Sequence, residues 1–152
     1  MSRVYFLEDF AVGQVFATPR LRIDADAIKS FARQFDPQPF HVDEEAAKNS
    51  VFRGLAASGW HTAALTMRLM HDGDFKPAGG IIGVGFDELS WQRPVRPGDE
   101  LRAESEILEV RPSKSRTDRG LIRVRTTTYN QNGEAVQAFT GNPIVPRRPA
   151  GE

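Results

Sequence analysis

Residues 121–145 read LIRVRTTTYNQNGEAVQAFTGNPIV, two runs of strand-like character on either side of an Asn-Gly pair. In the first run Ile122 and Val124 fall on one face and Arg123 and Arg125 on the other. That is the period of two that a half-buried strand requires. Asn132-Gly133 is a strong hairpin signal, because both central positions of a type I′ turn need positive φ, which Asn and Gly tolerate best. The pattern predicts strands over 121–129 and 135–145, paired back to back through a type I′ turn.

Working outward, Pro97-Gly98-Asp99 reads as a turn and residues 101–110 as another strand. After Gly79-Gly80, the residues Ile82, Val84 and Phe86 alternate with smaller ones, and Leu89 and Trp91 continue on the opposite phase. That switch predicts a β-bulge near Asp87 and Glu88. Val15, Phe16 and Ile23 suggest an opening strand within 13–23. The rest of the first half is helical. Ala27, Ile28, Phe31, Ala32 and Phe35 share one helix face with Asp24 placed as N-cap, and Pro37 ends that helix at Asp36. A shorter helix is expected from Asp43, with Glu44 and Glu45 in its first turn. A third begins near Ser58. Its Trp60, Ala63, Ala64, Leu65, Met67, Leu69 and Met70 go most of the way round, so it is expected to be buried on several sides. Helices followed by antiparallel strands make an α+β fold, with this third helix lying across the apolar face of the sheet.

The totals narrow the function classes. The chain has 152 residues, enough for one domain spanning 1–152. Twenty basic residues balance twenty acidic ones, which argues against a nucleic-acid partner. No apolar run is long enough to span a membrane, and acidic residues interrupt the N-terminus before any signal-peptide core forms. Cysteine is absent, so disulfides, thiolate metal sites and a cysteine nucleophile are excluded and the cytoplasm is the expected location. The tail from Pro146 is expected to fray.

The segment Phe35-Asp-Pro-Gln-Pro-Phe-His41-Val-Asp43 carries the chemistry. Asp36 and His41 lie five residues apart between two predicted helices, with Pro37 and Pro39 stiffening the connection. A carboxylate and an imidazole so mounted can orient a water, deprotonate it and return a proton. On the plainer reading Asp36 closes a turn and His41 merely precedes a helix. Ser58-Gly59-Trp60 opens the third helix, where free amides and the helix dipole favour negative charge. The Gly59 N–H there suits a developing oxyanion. On the plainer reading Ser58 is an N-cap and Gly59 permits close packing.

In this order the two elements resemble the MaoC-like dehydratases, the (R)-specific enoyl-CoA hydratase branch of the hot-dog superfamily. The family's signature is approximately D-x-N-P-x-H-x-D, followed downstream by a His-Gly pair. The counterparts here are Asp36 to Asp43 and Ser58-Gly59, and Ser90 to Asp99 is similar to the family's segment ending P-V-x-x-G-D. The likeness runs from about residue 6 to residue 145. It implies an antiparallel sheet wrapped around a long central helix, and a homodimer or dimer of dimers with the active site at or near the subunit interface. It also implies an acyl-CoA substrate, with Asp36 and His41 acting on a water and the Gly59 N–H binding the thioester oxygen. No cofactor is implied, CoA being part of the substrate. Gln38 in place of asparagine, Ser58 in place of histidine and Phe35 in place of glycine depart from the pattern and point to a subfamily with its own substrate.

Ser58, Trp60 and Phe86 are candidates for lining the substrate pocket, although aromatics at such positions also serve as core. His61 and His71 stand at a spacing that suits no helical metal pair, so no metal site is expected, and His61 is read as a core residue. Arg111, Lys114, Arg116 and Arg119 are read as a solvated hairpin connection that can also contact CoA phosphates. Two alternatives stand beside the hydro-lyase: a hot-dog acyl-CoA thioesterase, and a non-catalytic acyl-CoA-binding subunit.

Overall fold

Four long strands and one long helix organise the chain. The computed structural model describes residues 3–151; Met1, Ser2 and Glu152, the ends of the expected 1–152 domain, lie outside the described residues. Short β1 (Val15–Ala17) and β2 (Leu21–Arg22) precede α1 (Ala25–Phe35), α2 (Pro39–Val42), α3 (Glu44–Lys48) and α4 (Gly59–Asp72). Then come β3 (Ile82–Ser90), β4 (Glu100–Pro112), β5 (Arg119–Tyr129) and β6 (Ala135–Pro146). The sheet is antiparallel in the order β1-β4-β5-β6-β3, with β2 on β4. It is the hot-dog arrangement expected, with α4 packed against the sheet. Among the described residues no helix is long and apolar enough to cross a membrane.

Strand alternation decides which face meets α4. Leu101, Ala103, Ser105 and Ile107 of β4 point inward, as do Ile122, Val124, Thr126 and Thr128 of β5. Two apolar clusters result. One gathers Phe10, Phe16, Met70, Phe75 and Ile107, the other Ile28, Leu55, Leu69, Leu101 and Val136. A polar seam also runs beneath α4, where Thr66 Oγ1 donates to the Thr62 carbonyl and accepts from Gln137 Nε2. The bulge falls where the phase change placed it. The β3–β6 register shifts between Asp87 and Ser90, and Glu88 takes φ +58°. Arg123 and Arg125, on the outer face, reach Asp87 and Glu88 at 3.1 and 3.7 Å.

Four expectations need correction. The β5–β6 turn is not type I′, since Gly133 has φ +74° but Asn132 keeps negative φ. Instead Asn130 N–H donates to Glu134 C=O and Gly133 N–H to Asn130 C=O, closing a three-residue loop with one left-handed position. Asn130 Oδ1 also accepts the Asn132 and Glu134 amides, a side-chain effect that the dipeptide does not reveal. Second, α4 is covered by the sheet and by α1 but stays open on one flank. Thr66 meets Thr128 and Gln137 of the sheet, and His61 stacks on Phe31 of α1, while Trp60, Ala64 and Met67 remain exposed. Third, His41 does not sit in a plain loop but in α2, a single helical turn begun by Pro39 at its first position. Fourth, the tail is held through Arg148. Arg147 Nε and Arg148 N–H bind the Glu8 carboxylate at 2.9 and 2.8 Å, and Arg148 Nη2 meets Asp9 at 2.5 Å.

Candidate active site

Pro37 sets the geometry of the site. Helix α1 stops at Asp36, and the Gln38 N–H donates back to the Asp36 carbonyl at 2.8 Å, a tight turn around Pro37. Pro39 then restarts the chain as α2 and brings His41 back toward Asp36. The carboxylate Oδ2 and His41 Nε2 lie 3.4 Å apart.

The imidazole is buried, and its other nitrogen is committed. His41 Nδ1 lies 2.5 Å from the Ala56 carbonyl oxygen. A carbonyl has no proton to give, so Nδ1 carries one and Nε2 is the nitrogen that faces Asp36. The Ala56 carbonyl is itself held. Ala57 N–H donates to Val95 C=O at 2.9 Å, and Arg96 donates to the carbonyls of Phe52, Gly54 and Leu55 just upstream. Asp99 in turn accepts the Arg96 N–H at 2.9 Å. Arg96 therefore supports the segment that orients His41. Arg96 lies within the Ser90 to Asp99 segment, and its role is not legible there because its three carbonyl partners lie more than forty residues upstream.

Ser58 is fully buried, outside the set of residues that lines the hollow beside His41. Its Oγ donates to Asp36 Oδ2 at 2.7 Å and accepts the Trp60 N–H at 3.2 Å, so it caps α4 and fixes the carboxylate at once. Gly59 follows as the first residue of α4, where no intrahelical acceptor exists for its N–H. Gly59 and His41 share a cavity of about 200 Å³, whose walls include Phe52, Thr62, Trp91 and Val95. His41 and Gly59 thus border one small hollow, and the Asp36 carboxylate stands 3.4 Å from the imidazole Nε2.

The other candidates lie elsewhere. Trp60 is 55% exposed and meets Trp91 edge to face at 5.5 Å, outside the set that lines the cavity. Phe86 is 57% exposed on β3 and borders a separate hollow with Met67 and Phe139. His61 is core, as expected, stacked on Phe31 at 4.4 Å, and burial holds its pKa below the ordinary histidine range. The basic hairpin connection is exposed. Arg111 pairs with Glu109 and Arg119 with Asp118. Among the described residues no group of three or more His, Asp or Glu converges as a metal site.

Comparison with known proteins places this geometry in a family. A crystal structure of a MaoC-like dehydratase from Rhodospirillum rubrum superposes with a TM-score of 0.92 at 57% identity, covering 95% of this chain and 99% of that one. An uncharacterised protein of Bacillus subtilis is 38% identical over 139 residues, 91% of this chain and 96% of its own length. An (R)-specific enoyl-CoA hydratase of Aeromonas caviae is 30% identical over 125 residues, 82% of this chain and 86% of that protein. Residues 9–130 match the MaoC like domain, and with that match the chain belongs to the MaoC-like dehydratase family of the hot-dog fold.

Proposed function

We propose that the protein is an acyl-thioester hydro-lyase that adds water to a 2-enoyl-CoA or removes it from a 3-hydroxyacyl-CoA. One observation carries the reading: Asp36 Oδ2 and His41 Nε2 stand 3.4 Å apart beside the cavity that Gly59 opens, with the imidazole tautomer set by Ala56. The family's enoyl-CoA hydratases, such as that of Aeromonas caviae, support it.

In the hydration direction a water hydrogen-bonds to both the carboxylate and Nε2 from the substrate side. Its oxygen bonds C3 as one of its protons passes to the pair. The π electrons of the C2=C3 bond move toward C1, and negative charge collects on the thioester oxygen. The Gly59 N–H donates to that oxygen, aided by the N-terminal dipole of α4. The enolate then takes a proton at C2 from the pair, which returns the site to its starting state. Asp36 and His41 share the water and act as one coupled acid–base unit. The addition is redox-neutral, and protein groups supply every proton transfer, so CoA enters only as part of the substrate.

We further assign the active form as a homodimer. β3 is an edge strand, and Ile82, Val84 and Phe86 on it, with Trp60 and Met67 of α4, are large apolar side chains left exposed, a surface that a second copy would cover. A cytoplasmic location suits the CoA thioester substrate and the cysteine-free chain.

The test follows the ultraviolet band of the conjugated thioester on crotonyl-CoA and a dicarboxylic analogue, with free thiol measured in parallel. Loss of the band without thiol is expected, and Asp36→Asn or His41→Ala should each cut the rate at least a hundredfold. Thiol release with the double bond intact would make the protein a thioesterase. Binding without turnover would make it a silent acyl-CoA-binding subunit.

A further inference from the structure

The geometry points to Trp91 as the residue that limits the substrate to short acyl groups, a proposal that rests on the hydro-lyase reading of the same cavity. The hollow measures about 200 Å³, below the roughly 300–1,000 Å³ of ordinary small-molecule pockets. A short acyl group suits a hollow of that size. On the hydro-lyase reading C1 to C3 lie near Gly59 and the Asp36–His41 pair, and a longer chain presses on the walls, of which Trp91 is one.

Trp91 is the largest side chain in that wall and is fixed on three sides. Its indole lies so close to Gly59 that a Cβ there would stand 2.5 Å from Trp91 Cε2. Trp60 meets it edge to face. Its Nε1–H donates to Gln137 Oε1 at 2.9 Å.

That last bond is locked from beneath. Thr66 Oγ1 spends its only proton on the Thr62 carbonyl at 2.9 Å, so it can only accept from its other partners. The Thr128 hydroxyl, 2.7 Å away, therefore donates to it, and so does Gln137 Nε2 at 3.2 Å. Gln137 is 0% exposed, and turning its amide over would set a carbonyl against an oxygen with no proton left. Its Oε1 must face Trp91. A buried chain from β5 through α4 to β6 thus decides where the indole stands, which makes Gln137 a positioning residue.

Saturated acyl-CoAs, which cannot be hydrated, separate this proposal from the reaction itself. Calorimetric Kd values for butyryl-CoA and octanoyl-CoA are expected to differ at least tenfold in favour of butyryl-CoA for the native protein. Trp91→Ala should shrink that ratio tenfold or more, and Gln137→Met should shrink it partially while keeping the indole. Should Trp91→Ala fail to fold, Trp91→Leu carries the same comparison. Equal affinities in the native protein, no binding of either thioester, or an unchanged ratio in a folded Trp91 variant would overturn the proposal. Turnover of crotonyl-CoA reports separately on the hydro-lyase reading.

Discussion

Ser58 Oγ is shared between two duties, donating to Asp36 Oδ2 at 2.7 Å and accepting the Trp60 N–H at 3.2 Å. The residue that starts α4 is thus also the residue that holds the carboxylate of the site. Helix position and acid position are coupled through one hydroxyl.

Ser58→Ala removes both bonds. Loss of the N-cap should cost about 1 kcal/mol and lower Tm by a few degrees. Freed of its donor, Asp36 should leave its place beside His41, and kcat should fall about tenfold or more with KM nearly unchanged. Thermal melts and crotonyl-CoA kinetics check the two effects. A normal kcat in the destabilised variant would reduce Ser58 to a cap.

Gly59→Ala would raise helix propensity by about 1 kcal/mol on an exposed helix. Here the new Cβ stands 2.5 Å from the indole of Trp91, which Gln137 holds in place. Overpacking of this kind costs about 1–3 kcal/mol, so the variant should be less stable than the native protein despite the better helix former. A rise in Tm would show that Trp91 yields freely.

His61 gives stability a pH dependence. Its side chain is buried on Phe31, its Nδ1 has no hydrogen-bond partner, and burial lowers its pKa from the ordinary 6.5. The unfolded chain therefore binds a proton more readily than the folded one. The stabilisation is present above about pH 6.5 and is lost as pH falls toward the folded-state pKa, at a slope of at most about 1.4 kcal/mol per pH unit. His61→Leu should flatten Tm between pH 7.5 and 5 relative to the native protein. An equally steep decline in the variant would assign the effect to other groups.

The exposed β3 edge predicts the assembly. Sedimentation should show a dimer for the native protein, and Phe86→Lys on the apolar face should shift it toward monomer. Phe86 is 57% exposed and meets the Phe139 ring edge to face at 6.1 Å, so the fold should survive. A native monomer would remove the dimer from the proposal.

Much of the fold was legible locally. Asp24 caps α1, Asp43 caps α3 and Ser58 caps α4, each through the amide its position predicts. The phase change after Phe86 marked the bulge because side-chain alternation has only two states and one inserted residue must flip it. The type I′ turn and the fuller burial expected of α4 failed for a common reason. Each depends on what lies opposite, and neither the Asn130 side chain nor the open flank of α4 announces itself in a short window.

By itself the sequence determined the four long strands, the starts of α1 and α4 and the nearness of Asp36 to His41 along the chain, because caps, prolines and alternation act over a few residues. Only the tertiary structure decided that Ser58 serves the carboxylate, that Arg96 braces the Ala56 segment, and that Trp91 lies against Gly59 under the control of Gln137. Those contacts join residues 22 to 46 positions apart. Such pairs meet only after the sheet has closed around α4, and no local propensity carries that information.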